Sequence, residues 1–505
     1  MKASRTLIFI LSVFLLLGIG WYVFPADGIT IGSRQLHFPS YEEDKMGIVE
    51  GPDIDDILNK VSQSFEMSVS DNLLDSLYFF HDYLNINPNR IYLPNDDYSY
   101  FDSLFFLLEH ARDNKKIYRV MHYGDSQIEM DRITSILRQR LQEVFGGSGP
   151  NMIPAIQRVA TISITQYYGG GLTHYCVYGD STTQRAPHRR YGVMTQFSQT
   201  SGRSTISFNK SKHSQAFDKA KEISRVSLLI GNNSESFKAT LKADTIKADT
   251  KECAANQGVS ILDWELPVNI NRGTITLQGN AEVYAVLLDG DYGVAVDNNP
   301  LRGCSGTIFT MINKPVMRES FELLNTRLII LQFGGNRMPS IYGSQSISNY
   351  ITEIDKQINY FKEVAPQATL LFIGPADMGK SYNGKIGTWK GLPELNDSLK
   401  AAALRNEIAY WDLFNVMGGE GSMAQYVKHS PALAAPDYIH FTFKGAQEIG
   451  DDLAKSLITY YNFYKLRQRL PDDSISEFMH KDRKLIEEER ALREKAFKPI
   501  NYYYE

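Results

Sequence analysis

Apolar positions in this chain follow different periods in different stretches, and the changes of period divide it. An uninterrupted apolar run from Leu7 to Phe24 follows Lys2 and Arg5. Its 18 residues reach the lower end of what crosses a bilayer as a helix. The positive flank precedes the run, which predicts an uncleaved anchor with the rest of the chain outside the cytoplasm. A cleaved signal is the alternative, with Gly18-Ile19-Gly20 as a weak processing site. Residues 27–50 are mostly polar and read as a linker. From Pro52 to Lys116 the period is helical: Leu73, Leu74, Leu77, Phe80 and Leu84 recur at three- and four-residue steps.

The texture then changes. Ile117–Tyr123 reads as a strand, followed by Gly124-Asp125-Ser126 and an amphipathic helix running to Phe145. Gly146-Gly147-Ser148-Gly149-Pro150 ends it. From Ile162 to Leu288 short alternating runs dominate: Arg225–Ile230, Ala239–Ala243, Val259–Leu262, Gly273–Leu277 and Val283–Leu288. Regular short strands punctuated by Gly and Asn predict a β-sandwich. After Asp297 the buried-strand candidates Leu328–Phe333, Thr369–Ile373 and Ile408–Leu413 alternate with helical stretches at Ser346–Val364, Leu395–Asn406 and Lys444–Tyr464. Strands alternating with helices predict a mostly parallel sheet covered on both faces, with the β block inserted after its first helix. Asp472–Lys498 is dense in mixed charge and reads as a solvated helix.

Composition narrows the function. Hydrophobic residues make up 43% and charged residues 22% of the 505, as in ordinary globular proteins. A net charge of −5 leaves no basic excess for phosphates, which argues against nucleic acid as a partner. The three cysteines, Cys176, Cys253 and Cys304, are too few and too far apart for a disulfide framework or a zinc site. The 29 tyrosines and 26 phenylalanines suit sugar stacking as well as ordinary core filling.

The chemistry-bearing signal is a serine directly after a strand. Ser126 should sit at the C-terminal edge of the sheet, where open α/β folds bind ligands, and at a helix start whose free N–H groups favour an anion. Asp125 or Ser126 acting only as a helix cap is the simpler reading. A serine nucleophile needs a base, and His440 in Asp437-Tyr438-Ile439-His440 is best placed, with Asp437 three residues earlier to accept from Nδ1. His122, beside the serine strand, is the second choice of base. Donors for a tetrahedral oxyanion are offered by Arg302-Gly303-Cys304-Ser305-Gly306 and by Gly334-Gly335-Asn336 after the strand Leu328–Phe333.

Taken in order, Gly124-Asp125-Ser126, Gly303, Gly335-Asn336 and Asp437-x-x-His440 resemble the four blocks of the SGNH (GDSL-type) hydrolases. The resemblance covers 116–160 and 295–465. It implies a three-layer α/β/α domain with a mostly parallel sheet, interrupted by an inserted β-sandwich. It also implies catalysis by Ser126, Asp437 and His440, an oxyanion hole made by Ser126, Gly303 and Asn336, and no metal or organic cofactor. Gly306 is an alternative to Gly303. Gln127 stands where the family usually has leucine, as in its carbohydrate-esterase branches, and Arg337 stands where aspartate is common. The long insert resembles that of exported peptidoglycan-type O-acetylesterases.

The domain reading is then an anchor or signal at 1–26, a linker and helical lead-in at 27–115, a catalytic domain at 116–160 and 295–465, an insert at 161–294 that can bind glycan, and a charged tail at 466–505. The expected activity is removal of O-acetyl groups from a polysaccharide or peptidoglycan in the cell envelope. The expected partners are an acetylated glycan, the inner membrane through residues 7–24, and a membrane O-acyltransferase. The same site serves a polysaccharide O-acetyltransferase, and a non-catalytic glycan-binding protein is a third reading.

Overall fold

The computed structural model of the protein describes residues 29–31, 34–36, 73–244, 246–470 and 472–496. The apolar run Leu7–Phe24 and the stretch 37–72 lie outside them. Among the described residues no helix is long and apolar enough to cross a membrane. Ile29–Ile31 pairs antiparallel with Arg34–Leu36, and with residues 381–386 these belong to a small unit of their own.

In the larger unit a mixed sheet runs in the order Gly293–Pro300, Ile117–Gly124, Thr326–Gln332, Thr369–Ile373, Ala409–Trp411 and Ile91–Tyr92. All neighbours are parallel except the last pair. Its strands are mostly apolar on both sides because both faces are covered, with polar residues such as Arg119, His122 and Asp297 buried among them. Val120, Val296, Ile330 and Leu371 point into a core shared with the helices Thr134–Phe145 and Phe443–Arg467. Met121, Ile329, Leu331 and Phe372 point into a second core with Lys314–Leu323, Ser344–Val364 and Leu392–Arg405. Register matters most for function: Gly124 lies opposite Pro300 on one side and Gln332 on the other. The loops leaving these three strands therefore emerge together at one edge.

Between Thr134–Phe145 and Gly293–Pro300 lies an antiparallel region. Its path runs Asp249–Cys253, Phe237–Ala243, Arg272–Gln278, Gln196–Lys210, Ala281–Asp289, Arg225–Asn233 and Asn256–Glu265. Asn151–Ile153 joins Ala281–Asp289, and Ile164–Cys176 joins Gln196–Lys210. The two ends of the path are linked by Ala254-Ala255 alone, so the sheet curls back on itself around Phe208, Phe237, Trp264 and Ile275. Where a sandwich is expected from the strand spacing, the strands form one continuous hydrogen-bonded network.

Several elements depart from the pattern of apolar positions. The helix after Ser126 begins only at Thr134. A single 3-10 turn, Glu129–Asp131, intervenes, with Met130 and Asp131 at φ 62° and 67°. Asp131 accepts from Arg138 Nη1 at 2.6 Å and from the Ser163 hydroxyl, which pulls the chain out of helical geometry. Among the described residues, the stretch before Ile117 holds the helices Leu73–Ile86 and Asp102–Glu109, with the edge strand Ile91–Tyr92 between them. The charged tail forms helices Asp472–Met479 and Arg483–Ala496, and it is more than a solvated element: Ile475, Phe478, Met479 and Ile486 are buried, with Phe478 against Tyr78.

The helix Phe443–Arg467 carries a buried carboxylate, Asp452, whose pKa burial pushes up to about 7 against the pull of Lys455. The folded form binds this proton more tightly than the unfolded chain, so the contribution to stability is complete below about pH 4 and lost as pH rises through about 7. Asp452→Asn is therefore expected to stabilise the protein at pH 8 by about 1–3 kcal/mol. At pH 4 the gain should vanish, as urea unfolding at the two pH values would show.

Candidate active site

Ser126 lies two residues beyond the central strand Ile117–Gly124, and His440 lies just before the long helix Phe443–Arg467. Thr442 caps that helix by accepting from the Gly445 N–H at 3.2 Å, which fixes the chain leaving His440. The fold brings Ser126 Oγ to 2.9 Å from His440 Nε2. His440 Nδ1 is 2.7 Å from Asp437 Oδ2. The other Asp437 oxygen accepts from the N–H groups of Ile439 and His440 at 2.9 and 3.0 Å. Tyr438 takes φ 58°, which lets the loop wrap around the carboxylate it serves. Partial burial would raise the Asp437 pKa, but these hydrogen bonds outweigh it and hold the carboxyl below its ordinary value. The group stays ionised and fixes Nδ1–H, leaving Nε2 to accept from the serine.

Because Asp437 orients the imidazole and balances its charge, Asp437→Asn should lower kcat by roughly 10³-fold with KM little changed. Steady-state kinetics on p-nitrophenyl acetate would measure this split. An unchanged kcat would remove Asp437 from the site.

Two side chains the sequence reading did not single out for this role tie the serine loop to the histidine loop. Gln127 Nε2 donates to Ile439 O at 2.6 Å, and its Oε1 accepts from the Phe441 N–H at 3.4 Å, so one amide holds both flanks of His440. Arg132 donates to Ser126 O and to Phe441 O, both at 2.8 Å. The replacement of leucine by Gln127 was the visible signal; Arg132 gave none.

The oxyanion donors differ in state. No described residue accepts from the N–H of Ser126 or of Gly303. Gly303 has φ 77° in a turn closed by Cys304 N–H to Leu301 O at 2.9 Å, and its own carbonyl accepts from the Tyr178 hydroxyl at 2.8 Å. A side chain on Gly303 would meet nothing closer than that hydroxyl at 3.7 Å. Gly306 is enclosed instead: a Cβ there would lie 2.6 Å from the Phe333 ring, and its N–H donates to Cys304 Sγ at 3.3 Å. Of the two glycines, Gly303 is thus the one with an open N–H.

Asn336 lines a pocket together with Ser126 and His440, but its Nδ2 donates to Asp125 Oδ2 at 2.8 Å and to Cys304 O at 3.2 Å. Both hydrogens are engaged, so Asn336 reaches a substrate oxygen by giving up the longer bond. Asp125 is the anchor of this arrangement. Burial pushes its carboxyl up to about 6, against the Gln127 N–H, His440 and Asn336.

His122 has no part in the site. It is fully buried, with Nε2 3.0 Å from Gln332 Oε1 and Nδ1 3.0 Å from Thr134 Oγ1, and burial drives its pKa down to about 4. The three cysteines are free.

The serine, the histidine and Asn336 line a pocket of about 220 Å³ walled by Phe333, Pro375, Met378 and Trp389. A serine hydrogen-bonded to a histidine at the rim of a small, mostly apolar pocket suits attack on a short acyl group.

Residues 271–448 match the GDSL-like Lipase/Acylhydrolase family model. The match takes in Gly303, Asn336, Asp437 and His440 and leaves out Ser126, which the parallel sheet returns to their side. Over residues 271–448 the chain thus resembles the GDSL-like acylhydrolases, a class of enzymes that hydrolyse esters.

Among solved structures the chain is similar to one described as "Peptidoglycan O-acetylesterase in action, 5 min". The two share 19% identity with a TM-score of 0.57, over 71% of this chain and 95% of that one. That similarity establishes a common fold extending well beyond the family-model match. Weaker similarities reach an acetyl xylan esterase (14% identity, TM-score 0.25, 32% of this chain and 79% of that one) and a family two carbohydrate esterase from Clostridium thermocellum (9% identity, TM-score 0.21, 56% and 97%). No curated protein matches the sequence.

Proposed function

We propose that this protein is a serine esterase that removes O-acetyl groups from a polysaccharide or peptidoglycan through an acyl-enzyme. The observation that carries the reading is the hydrogen-bonded series Ser126–His440–Asp437 at the rim of a pocket sized for a short acyl group. The peptidoglycan O-acetylesterase of the same fold supports the choice of ester.

In the first half-reaction His440 Nε2 takes the Ser126 proton as Oγ bonds to the acetyl carbon. The N–H groups of Ser126 and Gly303, joined by Asn336, receive the negative charge forming on the carbonyl oxygen. His440 then protonates the departing sugar oxygen, leaving acetyl-Ser126. In the second half-reaction water attacks with His440 as base, acetate leaves, and the serine proton returns. Gln127 and Arg132 keep the two loops in register throughout, which is where a displacement of the base by an ångström would cost rate. The N-terminal apolar run would hold this domain on the outer side of the inner membrane, where acetylated envelope glycans are found.

The test is acetate release from O-acetylated peptidoglycan and O-acetylated polysaccharides by the purified protein, with p-nitrophenyl acetate and p-nitrophenyl octanoate as simple esters. Acetate release and a preference for the acetyl ester are expected. Failure to turn over any acetyl ester would sink the proposal. An alkaline phosphatase fusion after residue 505, active only outside the cytoplasm, tests the location.

A further inference from the structure

A second cavity, of about 600 Å³, lies where the antiparallel region meets the serine-bearing sheet, and it shares no lining residue with the pocket at Ser126. Its walls include Glu129, Arg158, His174, Tyr178, Asp180 and Arg302. It adjoins the reaction centre through two turns. Glu129 N–H donates to Ser126 O at 3.4 Å, and the Tyr178 hydroxyl holds the Gly303 carbonyl.

Most of the charges in its wall are already matched. Arg302 Nε pairs with Glu129 at 2.9 Å, Arg138 pairs with Asp131, and Asp180 accepts from the Thr182 N–H and hydroxyl at 2.9 and 2.6 Å. Arg158 differs: its charge is felt by Asp180 and His174, yet among the described residues its exposed guanidinium makes no hydrogen bond or ion pair, so its donors are open. The buried Nδ1 of His174 is likewise without a partner among the described residues. An open guanidinium fork fits a carboxylate in two-point geometry, while Glu129, Asp180 and His174 offer acceptors to hydroxyls. The volume is in the range of small-molecule sites.

We propose that this cavity is a second carbohydrate subsite, taking a pyranose that bears a carboxylate, with Arg158 holding the carboxylate. The inference deepens the reading of the protein as a glycan O-acetylesterase: it would place an acidic sugar of the substrate behind the turn that carries Gly303. Two sugars share this chemistry, a uronic acid with the carboxylate on the ring and a sugar with an ether-linked lactyl group.

The experiment is calorimetric titration of the full chain carrying Ser126→Ala, so that binding is read without turnover. The probes are trigalacturonic acid, a disaccharide containing N-acetylmuramic acid, and neutral chitotriose. One acidic probe should bind at least tenfold more tightly than chitotriose, and which of the two does so assigns the carboxylate. Adding Arg158→Ala should weaken that binding about tenfold, Arg158→Lys less, and His174→Phe, which fills the cavity, should also weaken it. Equal binding of all three probes, no binding of either acidic probe, or binding indifferent to Arg158→Ala and His174→Phe would overturn the subsite. The esterase reading itself stands or falls on acetate release by the unsubstituted protein, so the two failures are distinguishable.

Discussion

Ser126→Ala is expected to lower kcat on p-nitrophenyl acetate by about 10⁴- to 10⁶-fold while leaving the melting midpoint where it was. The loss is large because the serine oxygen is the atom that receives the acyl group, and the alternative base, His122, is buried and hydrogen-bonded to Gln332 and Thr134 and cannot activate water in its place. The fold should be indifferent because the serine hydroxyl's hydrogen bond is to His440, whereas the loop itself is held by Arg132 on the Ser126 carbonyl and by Gln127 on Ile439. His440→Ala should cost a similar factor, and the double variant little more, because the two residues act as one unit. Residual turnover then reflects the amide donors and substrate binding alone. If Ser126→Ala keeps a tenth of the activity or more, the nucleophile lies elsewhere.

Arg119→Met is expected to destabilise the protein by about 3–5 kcal/mol. Arg119 stands on the central strand, buried, with Nη1 donating to Asp297 at 2.8 and 3.1 Å and Nη2 to Asp289. Asp297 belongs to the neighbouring parallel strand, and Asp289 ends a strand of the antiparallel region. Asp289 also accepts from Asn151 Nδ2 at 3.0 Å, and Asp297 accepts from the Met152 N–H at 2.9 Å. One guanidinium thus joins the two sheets, and its removal leaves two buried carboxylates facing each other with only the charge of Arg225 still acting on Asp289. Methionine retains most of the buried stem, so the loss reports the charge rather than a cavity. Arg405→Met is the contrast. Its 2.9 Å pair with Asp355 lies at the surface, and its loss should cost no more than about 1 kcal/mol. Equilibrium urea unfolding of both variants decides the matter, and equal effects would show that the buried cluster has no special weight.

What could be read from sequence follows from how local each signal is. Thr369–Ile373 is a strand because four consecutive apolar residues, Leu370 to Ile373, lie between two covering layers, and its bounds were legible to the residue. The Asp437–His440 contact was legible because both partners lie in one loop. The Ser126–His440 contact spans 314 positions and was legible only through motif order. Gly293–Pro300 was missed as a strand because its second half, Asp297-Asn298-Asn299-Pro300, is polar. Asp297 and Asn299 are buried all the same, and Asn298 and Pro300 partly so: Asp297 meets Arg119, and Asn298 accepts from Thr134 at 2.9 Å. The helix expected directly at Ser126 failed for a related reason. Apolar spacing records which side chains are buried, and Ile128 is buried in a turn as readily as in a helix. Asn336 was legible as a residue of the site, but its engagement with Asp125 and Cys304 depends on atoms the spacing of the blocks does not reveal.

The position of the insert bears on how the chain is made. The strand that carries the serine receives its neighbours, Gly293–Pro300 and Thr326–Gln332, only after the whole antiparallel region has been synthesised. The early helices wait longer still, since Phe80 and Phe101 pack on Phe463 and Tyr460 near the C-terminal end of the long helix. A growing chain therefore holds its nucleophile for most of its synthesis with neither base nor sheet around it. Non-local pairing of this kind favours folding late and all together. On the proposed reading, a nascent chain that has not yet reached His440 has no complete site, and hydrolysis would begin only once the last long helix closes the molecule.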